Sequence, residues 1–451
     1  MTEYITLLDY AILPFVLAIV YGIAYKYRNK HYPVNHPWRK YFIPGLTVKI
    51  FGALFISMVY VYYYGGGDTT EYYLQSKIIN SAFDESFVKW MKLVFRIPDA
   101  LDPEYYAYTS RLVWYGDPGS YAVCSVTAFF SLFLLGTYLP AAVLFAAISF
   151  TGVWALFRTF ATLYKHLTGQ IAIATLFIPS TFIWGSGVFK DTICLFALGW
   201  LTYSVFRILV KYDFRLSNLL LGGVSILLVA TIKIYILLAF LPAVLLWILF
   251  IYTSKINNRG SRFFLRLTSV VLMAGGAMLI MQSLGEEALG KYSLDNLEAT
   301  AATTRDWILY SSGDEGSGYS LGEFDNSFTG MLTKFPLAVN VTLFRPYLWE
   351  SGKVIVLLSA LEAFLFLLLT LKVLFAVGLA KVYRITVTDP TIQFCIIFAL
   401  IFAFAVGVTS YNFGALSRYK IPCLPFYLLF LMLTYYKGVP RGKRLMPKLG
   451  L

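Results

Sequence analysis

Residues 44–73 read PGLTVKIFGALFISMVYVYYYGGGDTTEYY, and this stretch decides the class of fold. Its first part, residues 44–63, is predominantly apolar and has the length, about 20 residues, that carries an α-helix across about 30 Å of hydrocarbon. Three glycines then permit a sharp turn, and Asp68 and Glu71 follow where the helix would reach water. Ionised groups at bilayer depth are costly, so acids at the mouth of a membrane helix are candidates for function.

The composition indicates that lipid is the main solvent of this chain. Of its 451 residues, 59% are hydrophobic and 14% are charged, whereas a soluble domain averages about 25% charged residues. Apolar runs recur along the sequence, so we expect an all-α, polytopic integral membrane protein with about 11 to 13 transmembrane helices. Residues 1–451 are predicted to form a single membrane-embedded domain. The first run lacks a small-residue cleavage site and is predicted to be a span.

The charge pattern predicts how the chain is oriented. The net charge is +13, from 37 basic and 24 acidic residues, and the basic residues concentrate in short loops. Basic loops are retained in the cytoplasm, so the excess indicates orientation in the membrane and no nucleic-acid partner. This placement makes the N-terminus and Asp68 extracytoplasmic. The basic loops are residues 26–40, 207–215, 255–266, 381–384 and 437–448.

Cysteine and histidine give no sign of a metal centre. The four cysteines are scattered through apolar segments at spacings that fit neither a metal motif nor a disulfide framework. The three histidines fall in loops that we assign to the cytoplasm. These residues are Cys124, Cys194, Cys395, Cys423, His31, His36 and His166.

Three segments are predicted to lie outside. Residues 65–118 form a large acidic loop whose short apolar stretches, such as 87–95, are expected to be helices lying in the membrane interface. Residues 184–191 form a short turn, and residues 284–351 form a second long loop. Residues 119–157 contain two apolar segments, and two full crossings there would place Lys165 outside. We therefore expect one of the two segments to be interfacial or re-entrant.

Asp68 and Glu71 are the first candidate site residues. They are three positions apart, so they share a face of any helix that begins after the glycines. This arrangement suits a catalytic carboxylate with a supporting acid, or a pair of oxygen ligands for a divalent cation. The alternative is that Asp68 caps the helix and Glu71 completes a capping box.

Lys190, Asp191 and Lys233 are the next candidates, and each has a simpler alternative. Lys190 and Asp191 open an apolar run, where they form either a neutralised surface pair or part of the same cavity as Asp68. Asp191 is placed with Asp68 and Glu71 as the residues that would be catalytic or would hold a cation. Lys233 interrupts two apolar segments, either to bind an anionic lipid phosphate or to reach the interface as a snorkelling side chain.

Arg345, Arg418 and Tyr419 lie in proline-flanked segments of the second half. A guanidinium grips phosphate through two hydrogen bonds, which makes both arginines candidate ligands of a phosphate group.

Together these motifs resemble the GT-C type of membrane glycosyltransferases that use polyprenyl-phosphate donors. The likeness is to the branch that includes protein O-mannosyltransferases and the aminoarabinose transferase of lipid A, and it covers about residues 44–435. The chain departs from that pattern in its additional N-terminal span and in the absence of an Asp-Glu dipeptide. The motifs that carry the resemblance are Gly67-Asp68-Thr-Thr-Glu71-Tyr72, Pro179, Lys190-Asp191, Lys233, and Arg418-Tyr419-Lys-Ile-Pro422-Cys-Leu-Pro425.

The resemblance implies a transfer reaction at the outer face of the bacterial inner membrane. The substrate would be a polyprenyl-phosphate-linked or polyprenyl-diphosphate-linked sugar, and the acceptor a lipid, glycan or protein. Asp68 would be the general base, while Arg418, with Arg345 or Lys233, would stabilise the leaving phosphate. Lys190 and Tyr419 would help to bind the substrate. The alternatives are an O-antigen-type polymerase or ligase, and a lipid or polysaccharide transporter.

Overall fold

The computed structural model describes residues 4–283, 318–322 and 328–440, together with positions 303 and 310. Within these ranges the regular structure is helical, apart from one isolated antiparallel bridge between Gly318 and Asn412. Seven of the described helices are long and apolar enough to cross a membrane, or eight if one bent pair counts as a span. The prediction of an all-α polytopic membrane protein is confirmed. Most of the expected loop 284–351 and the end of the basic tail lie outside the described residues.

The helices group into two compact units, residues 1–234 and 235–451. In unit 1, α2 continues as a turn of π-helix over Val59–Tyr63, and α11 runs on past the unit boundary. The helices that begin in unit 1 are α1 Leu7–His31, α2 Arg39–Met58, α3 Asp68–Glu85, α4 Phe87–Val94, α5 Tyr106–Thr109, α6 Pro118–Phe133, α7 Tyr138–Leu163, α8 Thr168–Leu176, α9 Pro179–Trp184, α10 Lys190–Val205 and α11 Leu216–Thr253.

Unit 2 contains the remaining helices. Two of them, α18 and α19, form the bent pair, with an angle of 67° between them. The helices are α12 Arg259–Ser283, α13 Phe328–Thr333, α14 Phe335–Phe344, α15 Val354–Val377, α16 Leu379–Thr388, α17 Pro390–Gly407, α18 Phe413–Tyr419 and α19 Leu424–Gly438.

Side-chain contacts fix the relative direction of the helices in unit 1. Asp9, at the start of α1, accepts hydrogen bonds from the backbone N–H groups of Tyr138 (2.7 Å) and Leu139 (2.9 Å) at the start of α7. The two helices therefore begin at the same end of the unit. Asp68 belongs to that end as well, because its neighbour Thr69 lies 2.8 Å from the Tyr138 hydroxyl.

Helices α7 and α10 run parallel. Gly152 packs directly on Gly199, where a Cβ atom on either residue would overlap the backbone or carbonyl oxygen of the other helix. Six residues further along α7, Arg158 donates to the hydroxyl of Tyr203 at 2.6 Å. Asp191, at the start of α10, consequently lies at the same end as Asp68.

The segment between α7 and α10 runs back alongside α2 from one end of the unit to the other. It is divided into two short helices, and we call it the broken pass. Leu176 faces Gly45 near the start of α2, and the ring of Phe189 lies 5.3 Å from Tyr60 near its end. Helices α8 and α9 have nine and six residues, so neither spans a membrane alone. Residues 184–189 are all buried, so the turn that was predicted to lie on the outer side is packed inside the unit.

Unit 1 thus makes six passes between two ends, through α1, α2, α7, α8–α9, α10 and the first part of α11. We call the end that carries Asp9, Asp68 and Asp191 the acidic end, and the end that carries Arg39 and Lys165 the basic end. The last pass stops at Lys233, whose backbone leaves the helical region (φ −149°, ψ 75°). The described helices include fewer continuous spans than the sequence has apolar runs, because some passes are broken or kinked.

This path resolves the orientation of residues 119–157. Helix α6 has 16 residues and is not among the helices that qualify as spans, whereas α7 does cross. Lys165 therefore lies at the same end as the basic residues 28–40, and it lines one cavity together with Arg28, His36, Arg39 and Lys40. Which end faces the cytoplasm stays a prediction.

The segment of residues 65–118 consists of helices that do not cross. Helix α4 buries Trp90 and Leu93 against the unit and exposes Phe87 and Val88. Exposed apolar side chains beside a buried face are what a helix lying in a membrane interface requires. Other large apolar side chains exposed nearby are Phe95, Ile97, Leu101 and Val113.

Candidate active site at the acidic end

The glycine turn sets the position of Asp68. Gly67 has φ 140°, and a Cβ atom there would lie 2.8 Å from the ring of Tyr60, so only glycine fits. Gly67 is also the N-cap of α3, and its N–H donates to the Thr70 hydroxyl at 2.9 Å. The alternative that Asp68 and Glu71 form the cap is therefore wrong.

Asp68 and Glu71 both lie in the first turn of α3 and are partly buried. Negative charge is stabilised at this position by the positive end of the helix dipole. The side chain of Glu71 forms no hydrogen bond or ion pair within the described ranges. The expected face with two neighbouring carboxylates is present.

Asp117 caps α6 and binds Lys190. Its carboxylate accepts hydrogen bonds from the Lys190 ammonium (2.9 Å), the Ser120 hydroxyl (2.6 Å) and the backbone N–H of Gly119 (3.1 Å). Burial alone would raise the pKa of Asp117, but these bonds and the charge of Lys190 outweigh it and lower the pKa to about 2. Sequence analysis did not single out Asp117, although an aspartate before proline is a known sign of a helix start.

Asp191 and Lys233 form a second, buried ion pair. Asp191 is fully buried, and Lys233 is 8% exposed. Lys190 and Asp191 therefore do not pair with each other at the surface, and Lys233 does not snorkel to the interface; both of these alternatives are wrong. The predicted interruption at Lys233 is confirmed by the break in α11.

The two ion pairs lie side by side. The start of α6 abuts the chain next to Lys233, since a Cβ atom at Gly119 would lie 2.9 Å from the carbonyl oxygen of Ile232. The thiol of Cys124, whose pKa burial raises, has three charged groups acting on it: Lys190, Asp117 and Glu71. We call this group the acidic-end cluster: Glu71, Asp117, Lys190, Asp191 and Lys233, with Asp68 on the same helix as Glu71.

Arg345 in unit 2 is held by its own loop. Its guanidinium pairs with Glu350 (Nε to Oε2 3.0 Å) and lies over the ring of Phe413, 5.2 Å from the centroid. It also lies 5.7 Å from the centroid of Tyr319. Arg345 is thus already engaged by a carboxylate, which reduces its capacity to clamp a phosphate.

Arg418 and Tyr419 end α18 and are both partly buried. One residue later, Lys420 is buried at 1% exposure and donates to the carbonyl oxygen of Arg345 at 3.2 Å. The buried Glu362 of α15 adds an attractive charge to Lys420. Lys420 was missed in the sequence, where the only signal was a basic residue inside the Arg418–Pro422 motif.

Within the described ranges, no three histidine, cysteine, aspartate or glutamate side chains come together to hold a metal ion. Asp68, Glu71 and Asp191 accordingly do not form such a group by themselves. All four cysteines are buried as free thiols.

Comparison of the chain with models of protein families, with curated proteins and with solved structures found no match.

Proposed function

We propose that this protein is a membrane glycosyltransferase that moves a sugar from a polyprenyl-phosphate or polyprenyl-diphosphate carrier to a lipid, glycan or protein acceptor. The observation that carries the proposal is the acidic-end cluster. Carboxylates and ammonium groups from four segments distant in sequence meet where the passes of unit 1 end. Charged groups collected in this way in an apolar protein are typical of a functional site.

Among the acids at the starts of the unit 1 passes, two are suited to act as the general base. The Asp9 carboxylate already accepts hydrogen bonds at the starts of α1 and α7 and is therefore not available as a base. Asp117, with a pKa of about 2, is too weak a base at neutral pH, and Asp191 is buried against Lys233. Asp68 and Glu71 remain, both partly exposed on one face of α3. We assign the base to Asp68 and the orientation of the acceptor to Glu71.

In the proposed reaction, the carboxylate of Asp68 takes the proton of the acceptor hydroxyl as its oxygen attacks the anomeric carbon. The bond between that carbon and the phosphate oxygen breaks, and the carrier phosphate leaves with the electron pair. Lys190, held by Asp117 and 19% exposed, is placed to orient an anionic substrate at this end. Arg418 and Tyr419 are proposed as phosphate ligands of unit 2, because they open the Arg418–Pro425 motif on which the resemblance depends and a guanidinium can grip phosphate through two hydrogen bonds.

The positive-inside pattern supports an extracytoplasmic acidic end, and we propose the bacterial inner membrane as the location. The exposed apolar side chains of α4, such as Phe87, would rest in the outer interface.

The test is transfer of labelled sugar from polyprenyl-phosphate donors by the purified full-length protein. Asp68→Asn is expected to lower the rate by about 10²-fold or more, since general-base catalysis contributes that much. Asp84→Asn, the same substitution at an exposed site on the same helix, is the matched control. Near-normal transfer by the Asp68 variant, with the wild-type protein active, would refute its role as base; no transfer from any carrier-linked sugar would refute the proposed function.

A second candidate function, a transporter of lipid-linked sugar, is favoured by one observation. Discontinuous helices at binding sites are common in transporters, and the broken pass α8–α9 and the bent pair α18–α19 are of this kind. Movement of the labelled carrier across vesicles that contain the protein, without transfer of its sugar, would favour this alternative.

A further inference from the structure

A cavity of about 540 Å³ opens at the basic end of unit 1, the end remote from Asp68. The pass Arg39–Tyr63 separates the two ends by 25 residues, a length of about 37 Å in a helix. The cavity is therefore independent of the acidic-end cluster. Its lining residues include six basic side chains: Arg28, His36, Arg39, Lys40, Lys165 and His166.

The lining contains no acidic residue. Within the described part of the chain, Lys165 and His166 have no hydrogen-bonded or ionic partner for their side chains, and the ammonium of Lys40 lies only over the ring of Tyr41, at 5.2 Å. Arg39 is fixed in place, donating to the backbone carbonyl of Tyr32 at 2.6 Å. The cavity thus combines rigidly held and uncompensated positive charges.

A helix end adds to the positive field. Helix α8 begins at Thr168, and Thr168 and Gly169 both line the cavity, so the positive end of the helix dipole faces it. The cavity also lies at the depth of lipid headgroups, because three spans end or begin around it: α1 at His31, α2 at Arg39 and α7 at Leu163.

We propose that this cavity binds a phosphate-bearing anion, either the headgroup of an anionic lipid or a free phosphate or diphosphate compound. Basic pockets between membrane helices bind phosphate headgroups in this way. The volume is within the range of ligand pockets, about 300–1,000 Å³, and is sufficient for a phosphate with an attached polar group.

The experiment compares two double variants of the full-length protein in detergent. Lys40→Gln with Lys165→Gln removes two charges from the cavity wall. Lys26→Gln with Lys30→Gln removes two charges from the same end but outside the cavity, and is the matched control. Native mass spectrometry measures retention of phosphatidylglycerol against phosphatidylcholine, and calorimetry measures binding of pyrophosphate.

We expect the cavity variant to bind the anion about tenfold or more weakly, because each lost lysine removes a charge-assisted contact. The control is expected to bind like the wild-type protein. Retention of phosphatidylglycerol alone identifies a lipid source, whereas binding of pyrophosphate identifies a soluble one. If neither anion binds the wild-type protein, or if both variants lose binding equally, the proposal is overturned.

A charge-preserving variant tests whether a loss of binding is caused by misfolding or by the loss of charge. Lys40→Arg with Lys165→Arg should retain binding and elute as a single species, and loss of binding in that folded variant would also overturn the proposal. The assay measures binding only, so its outcome is independent of whether Asp68 catalyses glycosyl transfer.

Discussion

The carboxylate of Asp9 accepts the backbone N–H of Tyr138 at 2.7 Å, across 129 positions of sequence. The same side chain accepts from the N–H and hydroxyl of Thr6, at 3.0 and 2.9 Å, and is completely buried. The Asp9 carboxylate therefore accepts hydrogen bonds at the starts of two membrane helices, α1 and α7. A buried charge of this kind is stable only while its hydrogen bonds are intact.

The first prediction concerns that acid. Asp9→Ala leaves the starts of α1 and α7 without their acceptor and should lower the free energy of unfolding by about 2–4 kcal/mol, since bonds to charged groups are among the strongest. Asp9→Asn keeps the shape and part of the bonding, and should cost less. Thermal unfolding in detergent measures both; equal stability of Asp9→Ala and wild type would show that the contact contributes little.

The second prediction concerns Asp191 and Lys233. Removing either partner takes the ion pair away from the other buried charge, so Asp191→Asn or Lys233→Met alone should destabilise by about 3–5 kcal/mol. The double variant removes both charges and should recover a large part of that loss. Simple additivity of the two single effects in a double-mutant cycle would contradict a direct pair.

The third prediction tests the packing of α7 on α10. A methyl group at Gly199 would overlap the backbone of Gly152, so Gly199→Ala should destabilise by about 1–3 kcal/mol through overpacking. Gly223→Ala is the control, because a Cβ atom there meets nothing within 4 Å. Similar unfolding temperatures for the two variants would argue against close contact between these helices.

The fourth prediction concerns the ends of unit 1. All four native cysteines are buried, so single cysteines introduced at the surface can be labelled against a low background. Cysteines in place of Lys30 and Lys165 should react from the same side of the membrane, and one in place of Asp84 from the opposite side. Labelling of positions 30 and 165 from different sides would refute the traced path, and labelling of 84 from the cytoplasm would reverse the orientation.

The fifth prediction concerns pH. The folded pKa of Asp117, about 2, lies below its ordinary value of 3.8, so its ionised form stabilises the folded state. That contribution is complete above the unfolded pKa and is lost as the pH falls through the folded one. The stability gap between wild type and Asp117→Asn should be constant from about pH 8 to 5 and shrink from about pH 4 to 2. A gap that already changes between pH 8 and 5 would contradict this assignment.

The membrane class and the helix that begins after the glycines could be predicted from the sequence, because both depend on local composition. Asp68 and Glu71 share a face for the same local reason. Lys233 was recognisable as an interruption because one charge stands out in an apolar run. Its partner Asp191 could not be identified, since 42 positions separate the two and pairing depends on packing.

Other features could not be predicted from the sequence, because they depend on how the passes pack against one another. The cap of α3, for which Asp68 was the alternative candidate, is formed by Gly67 and Thr70, and the close approach of Tyr60 leaves no room for a side chain at position 67. The turn before Asp191 was predicted only to lie on the outer side of the membrane. In the structure its glycines allow close packing, as where Gly187 faces Ile56.

The broken pass between α7 and α10 has a consequence for biosynthesis. Helices of nine and six residues are too short to partition into a bilayer by themselves. The buried backbone that follows α9 must be satisfied by protein: the Gly185 carbonyl accepts from Lys49 on α2 and from Ser149 on α7, the latter at 3.1 Å. This segment should therefore enter the membrane only once α2 and α7, which precede it in the chain, are in place to receive it.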